Sequence, residues 1–154
     1  MSSYNEQMQA LAKDYQFATG SITYTLKEVG AWAIKEGKWE PGRDILLRQF
    51  CEDMGRALRE EYIRDPQGRR VRANHVIRGD GETGFLWAEI NTAPREHMVI
   101  AFDQRRDQIV ADCAQLKQDI DSYNQNQNSG APVQLRLDFA LDVVEYKLAR
   151  KKTR

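Results

Sequence analysis

The chain's 154 residues carry 23 Lys and Arg against 23 Asp and Glu, a formal charge of zero, and this length fits a single domain. An apolar share of 41% with a mean hydropathy of −0.70 predicts a modest core and excludes collagen, disulfide scaffolds and membrane-spanning chains. A sequence pI near 6.7 excludes a uniformly basic nucleic-acid binder, so any such role must rest on local charge.

The polar residues 1–15 predict neither a signal peptide nor an anchor, and hence a cytoplasmic protein. Within residues 4–18, Met8, Leu11, Tyr15 and Ala18 recur at spacings of three and four, the period of a helix that Gly20 then stops. The β-branched and aromatic residues 21–24 read as a short strand. Thr25 and Glu28 form the capping box of a second helix, residues 26–36, which buries Val29, Ala33 and Trp32 and ends at Gly37.

A connection over 38–42 contains Pro41. From Asp44 to about Tyr62 a third helix lines up Leu46, Phe50, Met54 and Leu58 on one stripe, with Arg48, Glu52, Arg56 and Glu60 alternating in charge on another. Asp65, Pro66 and Gly68 supply turn chemistry. Residues 70–77 alternate as a strand, the loop 79–84 is acidic at Asp80 and Glu82, and residues 85–90 complete a β-hairpin.

Thr92 and Pro94 open a long helix reaching Asn124, roughly 45 Å at 1.5 Å per residue. Val99, Phe102, Arg106, Ile109, Cys113, Leu116, Ile120 and Tyr123 form a coiled-coil-like seam broken only by Arg106. That length favours a homodimer interface over an internal packing stripe, though the sequence leaves both open. Residues 126–132 read as a flexible linker. Val133, Leu135, Leu137, Phe139, Leu141 and Val143 alternate with polar residues as a terminal strand, followed by a basic tail. Cys51 and Cys113 fall on apolar stripes without metal-ligand spacing and read as buried free thiols. His75 reads as a structural histidine on an apolar strand face, and His97 as a surface residue.

The order helix, short strand, helix, helix, hairpin, long helix resembles the winged helix-turn-helix superfamily over residues 4–90. The resemblance implies an α+β fold with residues 43–62 as recognition helix, residues 69–90 as wing, and a further helix that dimerises. It divides the chain into a winged helix-turn-helix-like domain (1–91), a dimer helix (92–125), the linker (126–132) and the strand with its tail (133–154). Two features depart from the family pattern: the long, Pro41-containing turn before the third helix, and the acidic wing tip.

Charge is polarised. Residues 63–79 hold Arg64, Arg69, Arg70, Arg72 and Arg78 against Asp65, net +4, and residues 145–154 are again net +4, whereas residues 80–121 are net −5. Guanidinium groups bind phosphate bidentately, so the cluster suits a polyanion, with Arg43 and Arg48 on the third helix as further candidates. The competing expectation is that these arginines pair with the acidic long helix or with an acidic partner.

No Gly-x-Ser-x-Gly, P-loop or dinucleotide motif occurs. Asp138, Asp142 and the Glu145–Lys147 triplet are too close together for a metal-dependent nuclease. The sequence therefore predicts a non-enzymatic, cofactor-free and metal-free protein that binds duplex DNA as a homodimer, acting as a small regulator or accessory subunit. The alternative is an adaptor that gives its seam and terminal strand to a protein partner.

Overall fold

A computed structural model describes residues 3–79 and 84–151, with Arg43 described in its backbone alone. The basic residues Lys152 and Arg154 and the acidic loop residues Asp80 and Glu82 therefore lie outside the described residues. The fold is α+β, with five helices and two small antiparallel sheets among the described residues. It divides into two compact units, Met1–Leu58 and Arg59–Arg154.

In the first unit, α1 (Tyr4–Thr19) and α2 (Leu26–Lys35) begin with the same device. Each N-cap hydroxyl, of Ser3 and Thr25, accepts from the backbone N–H three residues on, while Glu6 and Glu28 accept the N-cap N–H in return. These reciprocal bonds satisfy donors that the first turn would leave unpaired. The Ser3–Glu6 box adds to the one the sequence predicts at Thr25. Gly20 ends α1 in the left-handed region at φ 71°, a conformation costly to any residue with a Cβ.

The core here is small. Ala33 is 2% exposed, beside buried Val29 and Tyr15, and the Tyr15 ring meets Tyr24 and Trp32 edge-on at 6.1 and 5.7 Å. Residues 21–24 form no strand; their aromatic residue serves the Tyr15 cluster instead of a ladder. α3 (Arg43–Glu60) leaves Leu46, Phe50 and Met54 exposed, with only Leu58 of the expected stripe half-buried. Cys51 is likewise exposed and Cys113 half-buried, so neither is the fully buried thiol expected.

In the second unit the single predicted hairpin becomes two. β1 (Tyr62–Arg64) pairs with β2 (Arg70–Arg72), and β3 (Asn74–Arg78) pairs with β4 (Phe85–Glu89). The break falls at Ala73, 2% exposed, which donates to the Glu61 carbonyl and accepts from the Ile90 N–H. The predicted strand over 70–77 is therefore kinked, with each half paired to a different neighbour. Tyr62, expected at the end of the third helix, instead opens β1, and α3 stops at Glu60.

α4 (Arg95–Asn126) follows Pro94 at its N-cap, where a missing N–H costs nothing. It packs on β3. Gln104 fastens the contact, its Oε1 accepting from Arg78 N at 2.7 Å and its Nε2 donating to Arg78 O at 3.1 Å.

Beyond α4 the structure corrects the expected terminal strand. Residues 127–132, the stretch expected as a linker, are bridged by asparagine side chains. Asn128 Oδ1 accepts from Gly130 N, its Nδ2 donates to Ala131 O, and Asn124 brackets both backbone groups of Val133. Residues 133–139 join no ladder among the described residues, and residues 140–151 are helical, α5 (Ala140–Lys151). Leu141, Val144 and Leu148 repeat at helical spacing, and Asp138 Oδ1 accepts from Ala140 N at the helix start.

Candidate functional site

The arginine cluster sits on the two hairpins and differs strongly from one residue to the next. Arg69 is the neutralised one: its Nε donates to Asp65 Oδ2 at 2.6 Å. Asp65 also accepts from the Gln67 and Arg69 backbone N–H groups, closing the β1–β2 turn. Burial pushes the Asp65 carboxyl upward, but the Arg69 hydrogen bonds and charge, with the Gln67 bond, overcome this and hold it below the usual range.

Among the described residues, Arg64, Arg70, Arg72 and Arg78 pair with no carboxylate. Arg64 donates to Gly68 O at 2.9 Å. Arg70 lies 3.6 Å from the Tyr62 ring centroid, and Arg78 lies 5.7 Å from that of Phe85. Such stacking orients a guanidinium without cancelling its charge. The expectation that acidic groups of the long helix absorb the cluster does not describe these four.

Two concave surfaces follow. One, of about 1310 Å³, places Arg64, Arg69 and Arg70 of the first hairpin across from Lys147, Arg150 and Lys151 of α5. The other, about 610 Å³, lies between the second hairpin and α4 and brings Arg72 and Arg78 to Arg59 and Arg105, with Trp87 on its wall. Arg59 lies 5.1 Å above the Trp87 ring.

Arg59, Arg105 and Trp87 are not among the binding residues that the sequence singles out. With Ala101, Gln104 and Gln108, Arg105 repeats at three and four residues along the face of α4 that lines this cleft. Arg106, the seam's misfit, pairs with Asp107 at 3.2 Å.

His75 is buried, as expected of a structural histidine, and its Nε2 donates to Arg72 O at 3.1 Å, since a carbonyl can only accept. Its ring is edge-on to Phe102 at 5.3 Å. His97 is not a surface residue: it is half-buried, with Nε2 donating to His75 O at 2.9 Å.

The α3 candidates Arg43 and Arg48 belong to the first unit. The Arg43 side chain lies outside the described residues. Arg48 sits 4.1 Å over the Tyr4 ring within the first unit. Arg56 pairs with Asp53 at 3.6 Å and not with the expected i,i+4 partners.

On the predicted seam, Val99, Phe102, Ile109, Leu116 and Tyr123 are exposed, while Cys113 and Ile120 are half-buried. Among the described residues no group of three or more His, Cys, Asp and Glu side chains is placed to hold a metal ion, and no helix is long and apolar enough to cross a membrane. No family model, curated protein or solved structure matches this chain.

Proposed function

We propose that the chain is a non-enzymatic DNA-binding protein, a small regulator or accessory subunit, that meets duplex phosphates through its hairpin arginines and pairs with a second copy along α4. One observation carries the reading: of the five arginines at 64–78, a single one is neutralised by a described carboxylate. Uncancelled guanidiniums on ribbons are the groups that position a protein on a phosphate backbone.

The winged helix-turn-helix reading belongs to the same proposal, with α3 as recognition helix and the hairpins as wing. The succession of three helices, hairpins and a long helix supports it. Two separate two-stranded sheets depart from a single wing. Dimerisation is supported by the exposed seam, because large apolar side chains in a row along one helix are stabilised by a facing copy.

A labelled random duplex in a gel-shift titration tests the reading. The wild-type chain is expected to bind at low salt and to lose affinity steeply as salt rises. Arg64→Glu/Arg70→Glu weakens binding at least tenfold, and an unaltered shift in that variant overturns the proposal.

A second reading, the protein-partner adaptor, is favoured by the C-terminal arm. Residues 133–139 belong to no helix or ladder among the described residues and α5 exposes Leu141, Val144, Tyr146 and Leu148, a segment suited to a partner's sheet edge and groove.

A further inference from the structure

We infer that the cleft between the β3–β4 hairpin and α4 is a site for a phosphorylated nucleoside, whose phosphate lies between the Arg72 and Arg105 guanidiniums and whose base meets Trp87 and Arg59. This goes beyond contact with duplex phosphates, and it rests on the DNA reading only for one source of the ligand, an unpaired nucleotide of a strand. The other source is a free nucleotide.

The cleft has the capacity. At about 610 Å³ it falls within the few hundred to about a thousand Å³ of small-molecule sites. Its charge is lopsided: among the described residues Arg59, Arg72, Arg78 and Arg105 line it against one carboxylate, Asp107, and that carboxylate is engaged by Arg106. Neither Arg72 nor Arg105 forms an ion pair among the described residues.

Two like charges held together in a partly dry cleft are costly unless an anion joins them. Burial lowers the Arg105 pKa, the Arg72 charge lowers it further, and Tyr62 opposes both. The pair is held in place by its scaffold. Arg72 is the last residue of β2, directly before the Ala73 kink. Arg105 follows Gln104, whose two bonds to Arg78 lock α4 to β3.

The aromatic wall supplies the second half of the recognition. A base is planar, and both an indole and a guanidinium offer it a stacking face. Arg59 lying over Trp87 shows that this wall already accepts a flat group; an entering base stacks on one of the two.

Equilibrium titrations of the full chain by calorimetry test this with two probes, AMP and a 5′-phosphorylated pentathymidylate, and with adenosine as the phosphate-free control. Binding of at least one phosphorylated probe and none of adenosine is expected. Arg105→Gln should weaken that binding at least tenfold, and Trp87→Leu several-fold. Because Arg105→Gln removes a repulsion, its melting temperature should equal or exceed the wild type, which separates lost binding from lost folding. Should Trp87→Leu fail to fold, Arg59→Gln replaces it with the same expectation.

Pentathymidylate binding without AMP binding assigns the site to a strand, and AMP binding assigns it to a free nucleotide. If neither binds, or if Arg105→Gln binds as well as wild type, the inference is overturned, while a duplex shift lost in Arg64→Glu/Arg70→Glu would leave the DNA reading intact. If AMP binds through Arg105 and no duplex is shifted, the DNA reading falls and the cleft stands.

Discussion

His75 keeps its proton count low at neutral pH for reasons visible in its surroundings. Burial lowers its pKa below the ordinary 6.5, the hydrogen bond with the Arg72 carbonyl opposes this, and the charges of Arg105, Arg72 and His97 lower it further. The folded state therefore binds fewer protons than the unfolded chain in the window just below pH 6.5. Stability is fully present above that pH and is lost as pH falls toward the folded value. Urea unfolding at pH 7.5, 6.5 and 5.5 should show a decline that His75→Gln flattens. Asp65 makes a second case at this scale: Asp65→Ala removes three acceptor contacts that close the β1–β2 turn and should lower the melting temperature. The same change frees Arg69, so duplex affinity at low salt should not fall with it.

Elements here are decided by what closes their ends and what receives their faces. The Thr25 box was legible in sequence because hydroxyl and carboxylate stand three residues apart, a spacing that only a helical first turn can use. Thr25→Ala should cost about 1 kcal/mol, read by thermal unfolding. Gln104 was not legible, because a glutamine on a helix face gives no sign that its amide will imitate a neighbouring strand. Gln104→Leu removes two bonds to the Arg78 backbone and should cost on the order of 1–3 kcal/mol, with faster hydrogen exchange at Ile77 and Arg78. The terminal segment shows the limit of period-2 reasoning. Alternation over 133–143 marks apolar positions, and from residue 140 on the same stretch also fits the helical repeat of Leu141, Val144 and Leu148.

For the whole molecule, the test of assembly is sedimentation. α4 exposes Val99, Ile109 and Leu116, so the chain is expected to sediment as a dimer at tens of micromolar and Ile109→Asp as a monomer. A monomeric wild type would place the seam outside any self-interface.

By itself the sequence determined the first four helices, the Thr25 cap and the polarisation of charge, because periodicity, capping and ionisation are properties of residues within a few positions of one another. It also placed the arginines at 64–78. Only the tertiary structure decided which of them kept an uncancelled charge, that Arg59, Arg105 and Trp87 join Arg72 and Arg78 at one cleft, and that residues 140–151 coil instead of pairing. Those outcomes depend on partners far away in the chain, and no local pattern records who the partner will be.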